Sequence, residues 1–113
     1  WLWEFLRQPH ASIELEYALP VLEPLFAPDT PVWLITEDWH GDKKHGNYWV
    51  FETTWSAAIA VLGNLFGIEY YLVDRRFEWM ILQNHHSYVV GIGEPALSFV
   101  RDLQQRNPDR PKR

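Results

Sequence analysis

Histidines and carboxylates crowd two short polar stretches of this 113-residue sequence. Asp38-Trp39-His40-Gly41-Asp42-Lys43-Lys44-His45 holds two carboxylates and two imidazoles within eight residues. A hairpin tip of that composition can wrap a small ion or move a proton. Its spacing matches no metal motif with a mechanism, however, and Lys43 and Lys44 repel a cation. Asn84-His85-His86 supplies a second pair of imidazoles. Adjacent strand residues point to opposite faces, so both rings can serve one ligand only if a turn redirects them. With both tips at one sheet edge, His40, His45, His85 and His86 would converge with Asp38 and Asp42. That set would suffice for metal-assisted hydrolysis or general acid–base work. The preferred reading is plainer: solvated turns, with no metal and no cofactor.

Other chemistry is thin. No glycine-rich phosphate loop, nucleophile elbow or zincin motif is present, and no catalytic residue is assigned. Gly91-Ile92-Gly93 follows a strand pattern and precedes a helix pattern, where an anion could sit, but Glu94 opposes one. Ser56, Ser87 and Ser98 have no patterned base. Cysteine is absent, which removes disulfides, thiolate nucleophiles and zinc–thiolate sites. A cytoplasmic address is the default.

The elements that must position these residues are read from periodicity. Trp1 to Arg7 places Leu2, Phe5 and Leu6 on one helical face, and Ser12 to Ala18 forms a second helical candidate. Pro20 and Pro24 limit Leu22 to Phe26 to a short helical turn. Val32 to Glu37 and Tyr48 to Glu52 read as paired strands. Thr53 or Thr54 then caps a helix carrying Trp55, Ala58, Ile59, Leu62, Leu65 and Phe66, with Gly67 at the C-cap position. Glu69 to Val73, Phe77 to Leu82 and Ser87 to Ile92 follow as strands joined by short turns, which force antiparallel neighbours. Pro95 opens a last helix with Ala96, Leu97, Val100 and Leu103 inward. Asn107-Pro108 stops it, and residues 107–113 are expected to fray as a basic tail.

The prediction is one α+β domain over residues 1–113: a five-stranded, mostly antiparallel sheet with helices mainly on one face. Leu62, Trp79, Ile81 and Leu97 are expected in the core. Hydrophobic residues make up 47% of the chain and aromatics 16%, which excludes a disordered segment. Several strands are apolar on both faces: Trp33 and Ile35 oppose Val32 and Leu34, while Trp79 and Ile81 oppose Met80 and Leu82. Three helices cannot easily cover both sides, so part of this aromatic surface is expected to meet a partner unless the N-terminal helices wrap it.

Charge narrows the partner. Residues 1–100 hold 5 basic and 13 acidic side chains, a balance of −8, and residues 101–113 hold 5 basic and 2 acidic, a balance of +3. An acidic body disfavours nucleic acid, whose affinity rests on Lys and Arg displacing counterions. No apolar run approaches the roughly 20 residues that span a bilayer, so no membrane partner is expected. The start lacks a signal-peptide pattern and an initiator Met, so a preceding piece is expected to have been removed. A basic protein surface is favoured, steered by charge. Glu37, Asp38, Asp42 and Glu52, with Trp39, are the candidate partner-binding residues.

The run YYLVDRRFEWMILQNHHSYVVGIG, residues 70–93, resembles a strand-Asp-strand-Trp-strand-Gly segment of small bacterial proteins. These comprise uncharacterised families and toxin-neutralising immunity proteins, including the SUKH-like group. The chain departs from the SUKH-like pattern at its beginning, where no helix–Leu-Pro–Asn-Gly-Gly opening is found. The resemblance implies an acidic, cytosolic, non-catalytic α+β domain and carries over no functional residue. The favoured expectation is a non-enzymatic interaction protein, either an immunity protein that blocks a basic toxin or a self-associating dimer. A small metal-dependent or acid–base enzyme using the hairpin tips is the first alternative, and a small-ligand binder with an apolar cavity beneath the sheet is the second.

Overall fold

A computed structural model describes residues 7–37, 48–65 and 68–112. Its elements run β1 (His10–Glu14), α1 (Leu19–Leu22), a 3-10 turn (Glu23–Leu25), β2 (Pro31–Glu37), β3 (Tyr48–Thr54), α2 (Trp55–Leu62), β4 (Tyr70–Asp74), β5 (Met80–Gln83), β6 (Tyr88–Ile92) and α3 (Ala96–Arg106). The strands form one sheet in the order β1-β6-β5-β4-β2-β3, every neighbour antiparallel.

The sheet therefore has six strands, not five, and the extra one is β1. Ser12 to Ala18 is not a helix. Ile13 and Tyr17 have helical spacing, but His10 to Glu14 pairs along β6, from His10 opposite Ile92 to Glu14 opposite Tyr88. Tertiary pairing overrides a weak local period here. The C-terminal tail is not frayed either. Glu14 N–H donates to Pro111 O at 2.9 Å, and Lys112 bridges to Ile13, so the tail lies along the outer edge of β1. Residues 1–6 of the first expected helix, Trp1 to Arg7, lie outside the described residues, as does Gly67.

The meander β4–β5–β6 is built by two turns of the same design. Phe77 N–H donates to Asp74 O at 2.9 Å, and Ser87 N–H to Asn84 O at 3.0 Å. Phe77 and Ser87 then take positive φ, 58° and 66°. Each turn opens on a residue whose side-chain oxygen accepts the N–H four positions on: Glu78 to Asp74 Oδ2 at 3.3 Å, Tyr88 to Asn84 Oδ1 at 3.1 Å. Asp and Asn stabilise such turns in this way. The first turn consumes Phe77 and Glu78, so β5 begins at Met80 and not at the predicted Phe77.

Helices pack on one face. Leu22 of α1, Ala58 and Leu62 of α2 and Leu97, Val100 and Leu103 of α3 join Ile13, Val32, Leu34, Leu72, Ile81 and Val89 in the main core. All four expected anchors, Leu62, Trp79, Ile81 and Leu97, are buried. Thr54 caps α2 by accepting from Ala57 N–H at 3.4 Å, and the helix ends at Leu62 with Gly63 as its C-cap. Phe26 stacks on Trp79 at 4.5 Å and meets Trp55 edge-on at 4.8 Å, while Trp55 Nε1 donates to Glu23 O at 3.0 Å. That aromatic knot fastens the proline-broken segment to the sheet. At β6, Gly91 permits α3 to approach: a Cβ there would overlap Ala96 O and stand 2.7 Å from Val100 Cγ2.

The second face carries a smaller cluster. Val73, Met80 and Ile92 are fully buried, with Trp33, Ile35, Tyr71, Leu82 and Val90 packed against them. Among the described residues no helix contributes to it. Tyr48 meets the Tyr71 ring edge-on at 6.0 Å, and Arg75 stacks on Trp33 with Cζ 4.6 Å from the ring centre.

Candidate functional site

The β5–β6 turn does redirect its histidines. Their rings lie 4.2 Å apart, tilted by 44°. His85 Nδ1 stands 3.1 Å from Glu69 Oε2, and Tyr71 Oη donates to Glu69 Oε1 at 2.7 Å. Glu69 N–H in turn donates to Glu37 Oε1 at 2.7 Å. Tyr71, Glu69 and His85 thus form a hydrogen-bonded row at one end of the sheet, with the His85 side chain 60% exposed. Burial first, and then the Glu69 hydrogen bond and charge, push the Tyr71 hydroxyl well above its ordinary range. Burial alone does the same at Tyr70, whose hydroxyl donates to Gln83 Oε1 at 2.9 Å.

This row can hold one imidazole nitrogen outward as a base, because the carboxylate fixes the other. Among the described residues no group of three His, Asp or Glu residues able to hold a metal occurs. Asp38, Trp39, His40, Asp42 and His45 lie outside the described residues. Of the remaining candidate partner contacts, Glu37 turns its carboxylate inward to Glu69, and Glu52 pairs with Arg75 at 2.6 Å.

Two other features resolve differently from a ligand site. Glu94 occupies the start of α3 with its own carboxylate, accepting Ser98 N–H at 2.9 Å and Ser98 Oγ–H at 2.7 Å. These bonds hold its pKa below the usual carboxylate value. A groove of about 870 Å³ between α1 and α2 is lined by Leu19, Phe26, Trp55 and Ile59, with Glu23 its one titratable side chain. It is an open surface trough and not an enclosed cavity beneath the sheet.

The surface that stands out is β3. Tyr48, Trp49, Val50 and Phe51 are 48, 50, 59 and 45% exposed. They occupy the end of the sheet order and pair only with β2 among the described residues. From the sequence, open apolar surface is expected on the strands that carry Trp33, Ile35, Trp79 and Ile81. On the inner strands that surface is buried or partly buried, whereas on the edge strand it is about half-exposed. The signal was present in the run Tyr-Trp-Val-Phe, which has no polar alternate and so gives β3 two apolar faces.

Among the described residues no helix is long and apolar enough to cross a membrane. No curated protein and no solved structure matches this chain. Residues 1–104 match the model of a family described only as of unknown function, DUF6756. Since the match spans nearly all of the chain, the protein belongs to that family, DUF6756.

Proposed function

We propose that this chain is a non-enzymatic protein-interaction domain that meets its partner through the outer edge of β3. The single observation behind this reading is the half-exposed run from Tyr48 to Phe51 on an edge strand. Long apolar edges are templates for another strand, and folded proteins normally blunt them with charge, proline or a covering segment. The strand itself bears one charged residue, Glu52, already paired with Arg75. A β-strand partner would gain backbone hydrogen bonds, with aromatic side chains supplying selectivity. The acidic balance of the chain favours a basic partner in the cytoplasm, and neutralising a basic toxin is the form suggested by the likeness of residues 70–93 to immunity-type proteins. A photo-crosslinking amino acid at Phe51, expressed in the native cell, should give a protein adduct. The same group at Glu94, a solvent-facing position on another element, should give none. Equal labelling at both positions would refute the reading.

One observation favours a second reading, a small acid–base enzyme: the Tyr71–Glu69–His85 row, which leaves an oriented imidazole at the surface. Any activity of that kind should vanish in His85→Gln and survive changes in β3.

A further inference from the structure

The hydrogen-bonding direction of β3 follows from a bond two strands away. Glu37 N–H donates to Glu69 O, towards β4, at 3.2 Å. In an antiparallel strand the N–H and C=O of a residue point to one side, and successive residues alternate sides. Trp33, Ile35 and Glu37 therefore address β4, and Val32, Leu34 and Thr36 address β3. Across the register these last three meet Thr53, Phe51 and Trp49. Trp55 N–H, bonded to Thr30 O at 2.8 Å, continues the same phase. The backbone groups of Tyr48, Val50 and Glu52 consequently point out of the sheet.

We infer that the occupant of this edge is the same strand of a second copy, paired antiparallel about a two-fold axis at Val50. This rests on the reading of β3 as the interaction edge, and seats a second acidic copy there in place of a basic foreign partner. In that register Val50 faces Val50 of the second copy, and Tyr48 faces Glu52, all through outward-pointing backbone groups that form closely bonded pairs. Trp49 then lies opposite Phe51 on one face, so the exposed rings become cross-strand aromatic pairs. A two-fold interface must be self-complementary, and the Val50–Val50 and Trp49–Phe51 pairs satisfy that.

Charge disfavours a register with its axis at Phe51. Each copy carries a net charge of −5, and β3 contributes only Glu52, 2.6 Å from Arg75. With the axis at Val50 the two Glu52 residues stand four positions apart along the strands, about 13 Å at 3.3 Å per residue. That exceeds the screening length of about 10 Å at 0.1 M salt. An axis at Phe51 would bring the carboxylates to the diagonal spacing of roughly 7 Å. Area sets the strength. Large rings bury on the order of 150–250 Å² each, so half-exposed ones offer a few hundred Å² per copy. A standard stable interface takes about 800 Å² per partner, which places this pairing among the weak, transient interfaces.

The chain has no cysteine, so single thiols report the geometry cleanly. Val50→Cys should oxidise to a disulfide-linked dimer, because directly opposed residues lie about 5.5 Å apart at Cα, within disulfide range. Glu52→Cys, at about 13 Å from its mate, should remain a monomeric thiol under the same oxidant. Sedimentation at roughly 100 µM should show a dimer for the native chain and a monomer for Val50→Lys, whose thermal midpoint should stay within a few degrees of native because the site is exposed. A native chain monomeric at that concentration, or Glu52→Cys cross-linking as fast as Val50→Cys, would overturn the self-pairing. A monomer that still forms a foreign-protein adduct from Phe51 would reject the second copy and leave the interaction reading standing. A monomer without any adduct would reject both.

Discussion

The two edges of the sheet are handled in opposite ways. At one end β1 receives the C-terminal tail along its free side, through Glu14 N–H to Pro111 O, and α3 from above. Gln104 Nε2 on that helix donates to Ser12 O at 2.9 Å, so even the edge carbonyl is satisfied. At the other end β3 has β2 on one side and, among the described residues, no strand on the other. The covered strand, His-Ala-Ser-Ile-Glu, is the more polar of the two, and the uncovered one carries Tyr, Trp, Val and Phe in succession. Coverage therefore follows where the chain returns and not how apolar the strand is. An apolar edge left bare by the topology is where an external strand would gain most.

Ile13 against Val50 gives the sharpest test of that contrast. Ile13→Ala should destabilise the protein by about 2–4 kcal/mol, since the side chain is fully buried beneath α3. Val50→Ala, at a mostly exposed site, should cost less than about 0.5 kcal/mol in dilute solution. Chemical denaturation of the two variants side by side would break the comparison if the losses came out alike.

A chain cut back to Asn107 would convert the closed edge into a second open one. Each backbone hydrogen bond lost contributes on the order of 0.5–1.5 kcal/mol, so about 1–2 kcal/mol should go with the tail. Concentration-dependent light scattering should rise as well, because both edges would then template strands. An unchanged melting temperature and no added scattering would show that the tail does not guard β1.

A third effect should have the opposite sign. Among the described residues, two side-chain polar atoms are buried without a partner, Trp33 Nε1 and Thr36 Oγ1, and both sit on β2, the strand next to the open edge. Thr36→Val keeps the shape and removes an unsatisfied hydroxyl, so it should stabilise by about 1 kcal/mol. A loss of stability on thermal melting would mean that the hydroxyl is hydrogen-bonded in solution and that this side of the sheet is better satisfied than its geometry indicates.

Local chemistry alone determined a good part of this protein. The Asx-led turns, the Thr54 cap, the Trp55-Ala58-Ile59-Leu62 spacing and the short β-branched and aromatic runs of β4 to β6 each act within a few residues. The meander, α2, α3 and the buried anchors were legible for that reason. The proline-broken segment was legible too, because Pro20 and Pro24 act on their own backbone. The tertiary structure decided the rest. His10 to Glu14 became a strand because β6 offered hydrogen bonds eighty residues along the chain, for instance Ile13 opposite Val89. The tail acquired order from the same pairing. Glu37 turned from a surface charge into a bond with Glu69, and His85 found the same carboxylate. Exposure moved from the central strands to β3, although those strands and β3 carry similar apolar runs. The distinction is physical: propensity and capping are set by neighbours in sequence, whereas burial and edge pairing depend on which distant segment arrives, and a five-residue strand contains no record of that.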